Sequence, residues 1–396
     1  MDLKALVFSA IILNLNLETE SLALKQVVIL SRHNVRTPLS KMLWQVSPKP
    51  WPEWKEKSGY LTEKGELLEG FMGEFFSSWL NINGILPEGC PTEEYFHVYA
   101  NTQQRTLASA TSFVKKGFPG CRIIVHHANK SDPIFNPYIH NSSTIFIKEV
   151  LDTMKEHVRM LHLNSSYKLL GDILDYTKSE NCIKNHQCDL ATGENTPYAK
   201  TGSKPNIVGP LKISKSVVDS FLMENYEGLN IDKVAWGDLI TEEKWETVME
   251  LSRSYHNVIF NTSLIAKDLS KPLINYLTNI FLKKSAKVTL IMGHDANIYT
   301  VLKAMGFMPY TLVNQYEQTP VGGKIVFQKW ADNDTRAFLK IDYVYQGTAQ
   351  MRDGVKLSLD NPPIFQSLEL KDCMVDQNGF CLWDDFVKLL NKLSLP

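Results

Sequence analysis

Apolar and polar positions along this chain fall into short blocks rather than one sustained period. Lys25-Gln26-Val27-Val28-Ile29-Leu30 is an apolar run of strand length, and it ends in a polar, charged turn, Ser31-Arg32-His33-Asn34-Val35-Arg36-Thr37-Pro38. Tyr95-Phe96-His97-Val98-Tyr99 is a second strand that runs into Asn101-Thr102-Gln103-Gln104-Arg105. From there Thr106 to Lys116 reads as a helix stopped by Gly117 and Pro119. A third strand, Lys287-Val288-Thr289-Leu290-Ile291-Met292, ends at Gly293-His294-Asp295, and the helix Ala296 to Met305 after it is closed by Gly306. Strand, charged turn and helix thus recur, which predicts an α/β fold with a mostly parallel central sheet flanked by helices. In such sheets ligands bind beyond the carboxyl ends of the strands, so the three turns are expected at one edge.

Between 146 and 250 the pattern changes. Ile147 to Leu163, Tyr167 to Lys178, Ser214 to Tyr226 and Glu242 to Val258 carry helical spacing, and the 179–213 stretch between them is loop-rich. This predicts a smaller helical cap domain, 146–250, inserted into an α/β catalytic domain made of 24–145 and 251–396. The tail returns to strands: Gly323 to Trp330 and Arg336 to Tyr345 read as an antiparallel hairpin. Asp332-Asn333-Asp334-Thr335 lies in the turn of that hairpin, which argues against an aspartyl-phosphate role.

The N-terminus changes the picture of where the chain works. Lys4 precedes an apolar stretch from Ala5 to Leu17, followed by Glu18-Thr19-Glu20 and the small-residue site Ser21-Leu22-Ala23. Residues 1–23 read as a cleaved secretory signal, with an apolar run too short for a membrane anchor. The expected location is secreted or periplasmic, without stable membrane insertion.

Six cysteines fit export: Cys90, Cys121, Cys182, Cys188, Cys373 and Cys381. An even count in an exported chain implies disulfides and leaves several pairings open, of which the sequential one is simplest. A zinc site is the competing reading, but there is no Cys-x-x-Cys, and His126-His127 lacks the spacing of a helical ligand pair. Sequons occur at Asn129, Asn141, Asn164, Asn261 and Asn333. The formal net charge is -1, so nothing marks a nucleic-acid partner, and any anion site must be a local cluster of arginines.

Such a cluster is present. Arg32-His33-x-x-Arg36 sets a histidine between two guanidiniums at the end of a buried strand. Gly293-His294-Asp295 and Arg105 each sit between a strand and a helix. Taken singly, each also fits a solvated loop or a helix cap. Together they suit phosphoryl transfer, because arginines clamp phosphate oxygens bidentately and helix N-termini add backbone donors. A histidine can attack phosphorus while a carboxylic acid protonates the departing alkoxide.

These residues resemble the histidine acid phosphatase family, whose signature is Arg-His-Gly-x-Arg-x-Pro with a distant His-Asp. Within it the chain is similar to the bacterial periplasmic glucose-1-phosphatase and phytase branch. The likeness runs through Trp51-Pro52-Glu53-Trp54, Leu61-Thr62-Glu63-Lys64-Gly65, Tyr99-Ala100-Asn101, Asp132-Pro133-Ile134-Phe135-Asn136-Pro137 and Thr319-Pro320-Val321-Gly322-Gly323-Lys324. It implies a phosphoglycerate-mutase-like fold, three sequential disulfides, and no cofactor or metal. His33 would be the nucleophile, Asp295 the proton donor, and Arg32, Arg36, Arg105 and His294 the phosphate holders.

The activity it implies is hydrolysis of a small-molecule phosphate monoester such as glucose 1-phosphate through a phosphohistidine, with phytase as the nearest alternative. A phosphoglycerate-mutase-like transferase and a non-catalytic secreted binding protein on the same fold are further rivals. Asn34 stands where most of the family has Gly, and Asn tolerates left-handed backbone. Trp51 and Trp54 are expected near the mouth of the site. Lys204 is a candidate to face the substrate, where it would favour polyanions. An acid optimum is expected if Asp295 must be protonated.

Overall fold

The first apolar run, rich in β-branched residues, forms β1 (Ala23–Arg32). The computed structural model describes residues 22–334 and 336–394, so most of the segment read as an export signal lies outside the described residues. The other strands are β2 (Phe96–Ala100), β3 (Val125–His126), β4 (Thr196–Tyr198), β5 (Asn206–Val208), β6 (Val288–Gly293), β7 (Lys324–Ala331), β8 (Ala337–Tyr345), β9 (Ile364–Ser367) and β10 (Cys381–Leu382). The helices are α1 (Glu63–Ile82), α2 (Gln104–Gly117), α3 (Thr144–Arg159), α4 (Asn164–Leu174), α5 (Glu180–Asn185), α6 (Pro210–Glu227), α7 (Glu242–Phe260), α8 (Ser263–Leu282), α9 (Asp295–Met305), α10 (Thr348–Asp353) and α11 (Trp383–Leu393).

The main sheet runs β10-β8-β7-β1-β6-β2-β3, with β9 added beside β8. It is mixed. The pairs β1–β6, β6–β2 and β2–β3 are parallel, whereas β1–β7, β7–β8, β8–β9 and β8–β10 are antiparallel. The parallel part holds the strands that precede the charged turns, and the antiparallel part contains the β7–β8 hairpin. β4 and β5 form a separate two-stranded ribbon.

Strand alternation divides the core into two layers. Val27 and Ile29 of β1 face Met72, Phe75 and Phe76 of α1 and Phe113 of α2, while Val28 and Leu30 face α8, α9 and α11 through Leu277, Val301 and Phe386. Every residue of β6 is buried, as expected for a parallel strand covered on both faces. A third apolar cluster joins α3, α4, α6 and α7 and is continuous with Val35, Ala296 and Val321, which lie just past strand ends or beside the turn that carries His33. The helical region therefore rests on the carboxyl edge of the sheet.

The hydrophobic pattern singles out neither α1 nor α8. α1 is interrupted by Gly65, Gly70 and Gly73, and α8 contains Pro272. The glycines have a packing reason. A Cβ at Gly73 would lie 2.1 Å from the Phe113 carbonyl of α2, and one at Gly65 would lie 2.1 Å from the Val35 carbonyl. Gly65 thus lets the start of α1 abut the turn that carries His33.

Disulfides join Cys90 to Cys121, Cys182 to Cys188 and Cys373 to Cys381. Among the described residues no helix is long and apolar enough to cross a membrane.

Candidate active site

Strand register assembles the site. Arg32 pairs with Gly293 and Ala100 with Met292, so β1, β6 and β2 end level with one another. The His33 N–H donates to the Gly293 carbonyl at 3.0 Å, and the Asn101 N–H donates to that of Met292 at 3.0 Å. The three turns emerge together, and they border a cavity of about 380 Å³. His33, Arg36, Arg105, His294 and Asp295 line it, with Lys204, Lys212, Lys215, Tyr255 and His256 supplied by the helical region. Arg32 is not among the lining residues. It is buried beneath, and its Nη1 donates to Glu317 Oε1 at 2.7 Å and to the Thr319 carbonyl.

The His33 ring has a defined tautomer. Its Nδ1 lies 2.8 Å from the Asn34 carbonyl, which can only accept, so Nδ1 carries the hydrogen and Nε2 keeps its lone pair. Burial, followed by the positive charge of Arg105, holds the imidazole well below its usual range and therefore neutral. The rings of His33 and His294 meet edge to face at 5.4 Å. His294 Nε2 donates to Asn101 Oδ1 at 2.9 Å, and its Nδ1 faces Arg105 Nη2 at 3.5 Å. Burial and Arg105 push the His294 pKa down to about 3.

Three arginines carry unused donors. The Nε groups of Arg32, Arg36 and Arg105 are buried without a hydrogen-bond partner, a costly state unless a ligand supplies acceptors. Arg36 is aimed by a bidentate pair to Asp219 on α6, at 2.9 and 3.0 Å. Burial opposes ionisation of Asp219, but Arg36 and Lys215 outweigh it and hold the carboxylate below its usual range. Arg105 is more loosely held, at 3.5 Å from the Gly59 carbonyl, and burial with the nearby Arg36 lowers its pKa to about 10. The cavity lining has five cations, Arg36, Arg105, Lys204, Lys212 and Lys215, against a single carboxylate, Asp295. For a chain with net charge -1 this is a strong local bias towards an anion.

Asp295 begins α9, where the helix N-terminus favours its anion. His256 Nε2 approaches its Oδ2 at 3.5 Å. Burial would raise its pKa, but His256 and Arg32 prevail and hold it well below the usual range. Asp295 is thus ionised, whereas general-acid catalysis needs it protonated.

A buried network supports His33 from below. Lys324 Nζ donates to Glu69 Oε1 (2.7 Å), Ser31 Oγ (3.0 Å) and the Gly322 carbonyl (3.0 Å), which uses all three of its hydrogens. Glu69 Oε2 accepts from Asn34 Nδ2 at 2.9 Å, and Asn34 Oδ1 accepts from the Val35 N–H at 2.9 Å. Asn34 is not in the left-handed region, so backbone tolerance is not the reason for its presence. Its amide bridges the His33 turn to Glu69.

Sequence reasoning missed Asp219, Lys215, His256, Glu317 and Glu69. The spacing of Lys212, Lys215 and Asp219 along α6 puts them on one helical face, a signal that also fits a solvated surface. Lys204 does line the cavity, where burial brings its pKa down to about 8. Trp51 and Trp54 do not line it. Trp51 stacks on Phe221 at 5.6 Å and meets Trp236 at 4.8 Å, and both tryptophans pack on the helical core; Leu39 lines the cavity from the same loop.

The model of the histidine phosphatase superfamily (branch 2) matches residues 23–344. A glucose-1-phosphatase of Providencia rettgeri is 42% identical, with 94% of this chain and 92% of the relative covered. One from Salmonella typhimurium is 41% identical, covering 94% and 93%. Among solved structures, the apo form of a Hafnia alvei phytase superposes with a TM-score of 0.86 at 29% identity, covering 95% of this chain and 98% of that one.

Proposed function

The chain belongs to the histidine phosphatase superfamily (branch 2), and from that premise we propose that it is an exported acid phosphatase releasing phosphate from glucose 1-phosphate and related sugar phosphates. As a family member it is a phosphoric monoester hydrolase. The two glucose-1-phosphatases support the sugar phosphate as substrate. Three disulfides and the N-terminal signal pattern support export.

One observation carries the reading: a neutral His33 whose Nε2 lone pair is left free beside unpartnered arginine donors. In the first step Nε2 bonds to phosphorus and the ester oxygen departs with the bond's electron pair, taking a proton from Asp295. Arg36 and Arg105 carry the charge on the equatorial oxygens, with Arg32 adding positive charge from beneath and His294 as a further donor once protonated. In the second step water attacks phosphorus, the P–N bond returns its electrons to His33, and the Asp295 carboxylate takes the water's proton.

Asp295 is held as the anion, so its proton arrives with the ester. A phosphate monoester keeps one proton below about pH 6, and passing it to Asp295 yields a bound dianion beside a neutral acid. The acid optimum then follows from the protonation of the substrate. The segment 146–250 serves as a cap domain between the two parts of the catalytic domain, 24–145 and 251–396; the lysines that α6 contributes to the cavity support this.

Lys204, Lys212 and Lys215 favour a second reading, in which inositol polyphosphates are the better substrates. A panel of glucose 1-phosphate, phytate and an aryl phosphate, assayed with a chelator, separates the two. Highest kcat/KM on glucose 1-phosphate is expected, and highest on phytate would replace the first reading by the second. In the same assay His33→Ala should abolish turnover of every substrate. Residual turnover at the parental rate would remove His33 as nucleophile.

A further inference from the structure

At the β2–β3 edge of the sheet, Glu93 and His97 from one segment of chain meet His126 from another. His97 Nδ1 lies 2.9 Å from Glu93 Oε1, and His126 Nε2 lies 2.6 Å from the same oxygen. The two imidazoles stack with centroids 4.9 Å apart and planes 20° from parallel. The Glu93 carboxyl is held below its usual range, chiefly by the hydrogen bond from His97. The cluster is remote from the phosphate cavity. His97 is near the start of β2 and Asn101 follows its end, so the two are roughly 13 Å apart along an extended strand.

We propose that Glu93, His97 and His126 form an accessory binding site for a zinc-like divalent cation. Two imidazole nitrogens and a carboxylate oxygen are a borderline-soft donor set that suits Zn²⁺ and disfavours Mg²⁺ and Ca²⁺. In a tetrahedral zinc site with bonds of about 2.0–2.1 Å, ligand atoms stand roughly 3.3 Å apart. All three donor atoms already lie within 4.8 Å of one another. A small opening of the Glu93 side chain therefore admits an ion, with water completing the coordination.

The scaffold is held in advance of binding. β2 and β3 are hydrogen-bonded neighbours, with Tyr99 opposite His126, and the Cys90–Cys121 disulfide ties together the segments leading to Glu93 and His126. His97 Nδ1 hydrogen-bonds to the Glu93 carboxylate, whereas His126 Nε2 approaches the same oxygen without hydrogen-bond geometry and is left without a partner. A bound ion requires hydrogen on His97 Nε2 and His126 Nδ1. The adjacent His126-His127 pair gave no such signal in sequence, because the second histidine of the site comes from another strand.

The test is calorimetric titration of the metal-free full chain with Zn²⁺ at neutral pH. Binding of one ion per chain is expected, with Mg²⁺ unable to compete. Binding should fall at least 10–100-fold in His97→Ala/His126→Ala, and phosphatase turnover of that variant should stay at the parental level, which also shows that it folds. Should that variant fail to fold, Glu93→Gln, a surface change, is titrated instead and should weaken binding on the order of tenfold. A variant that titrates like the parent, or equal competition by Mg²⁺, would overturn the site.

Discussion

Two nests of buried charge lie on either side of His33, and they are built on opposite rules. Beneath it, Lys324 and Glu69 are both fully buried, and every Lys324 hydrogen has an acceptor. Burial lowers the Lys324 pKa and the Glu69 carboxylate works against that shift. Above it, Arg36 and Arg105 reach the cavity with unpartnered Nε donors. Internally satisfied charge makes a fixed floor, whereas charge left wanting acceptors makes a place for an anion. Chemistry is therefore expected to be sensitive above the histidine and stability below it.

The largest expected effect is on the upper side. Asp295→Asn should slow alkyl phosphates by about 10²–10⁴, the range of general acid catalysis, and slow an aryl phosphate with a good leaving group far less. Equal slowing of both would reject Asp295 as the acid. On the lower side, Lys324→Met leaves Glu69 buried and unpaired, and should cost about 3–5 kcal/mol of unfolding free energy. Denaturant melts would detect this, and adding Glu69→Leu should restore most of the loss. If the single variant were as stable as the parent, the floor would not be structural.

Arg105→Ala should cost on the order of 10²–10³ in kcat/KM, by analogy with the loss of an oxyanion donor. It should leave the melting temperature unchanged or higher, since a buried cation crowded by Arg36 is removed. A large drop in melting temperature with intact turnover would reverse the contrast. The last contrast concerns pH. His294 and His256 have pKa values pushed down to about 3 and about 4, chiefly by burial, so between their ordinary value near 6.5 and those values the unfolded chain binds more protons. Stability should then fall as pH drops through that window. Sulfate, which stays a dianion throughout, should lessen the fall by favouring protonated histidines. Parallel melting curves with and without sulfate would argue against the anion binding beside His294.

How much of this was legible depended on whether a residue's partners were near in sequence. β1, β2, β6 and the β7–β8 hairpin announce themselves as short apolar runs closed by turns. His33, Arg36, Arg105, His294 and Asp295 each fit a solvated loop or a helix cap alone and stand out only together, as a set suited to phosphoryl transfer. α1 and α8 stayed hidden, because glycine and proline are read as interruptions whereas here Gly73 serves close approach to α2. Asp219 and His256 could not be read, since acidic and histidine residues on a helix look like solvated surface until Arg36 and Asp295 are placed against them. Trp51 misled in the other direction: its ring is packing for Phe221.

Gly65 touches no substrate and carries no charge, yet the carbonyl of Val35 occupies the space where any side chain would begin. The placement of the His33 turn thus rests partly on an absent side chain. A single methyl added there must displace either the first turn of α1 or the backbone two residues beyond His33. Mutational maps of turnover should register this position as intolerant even to alanine, where a search for reactive groups would pass over it.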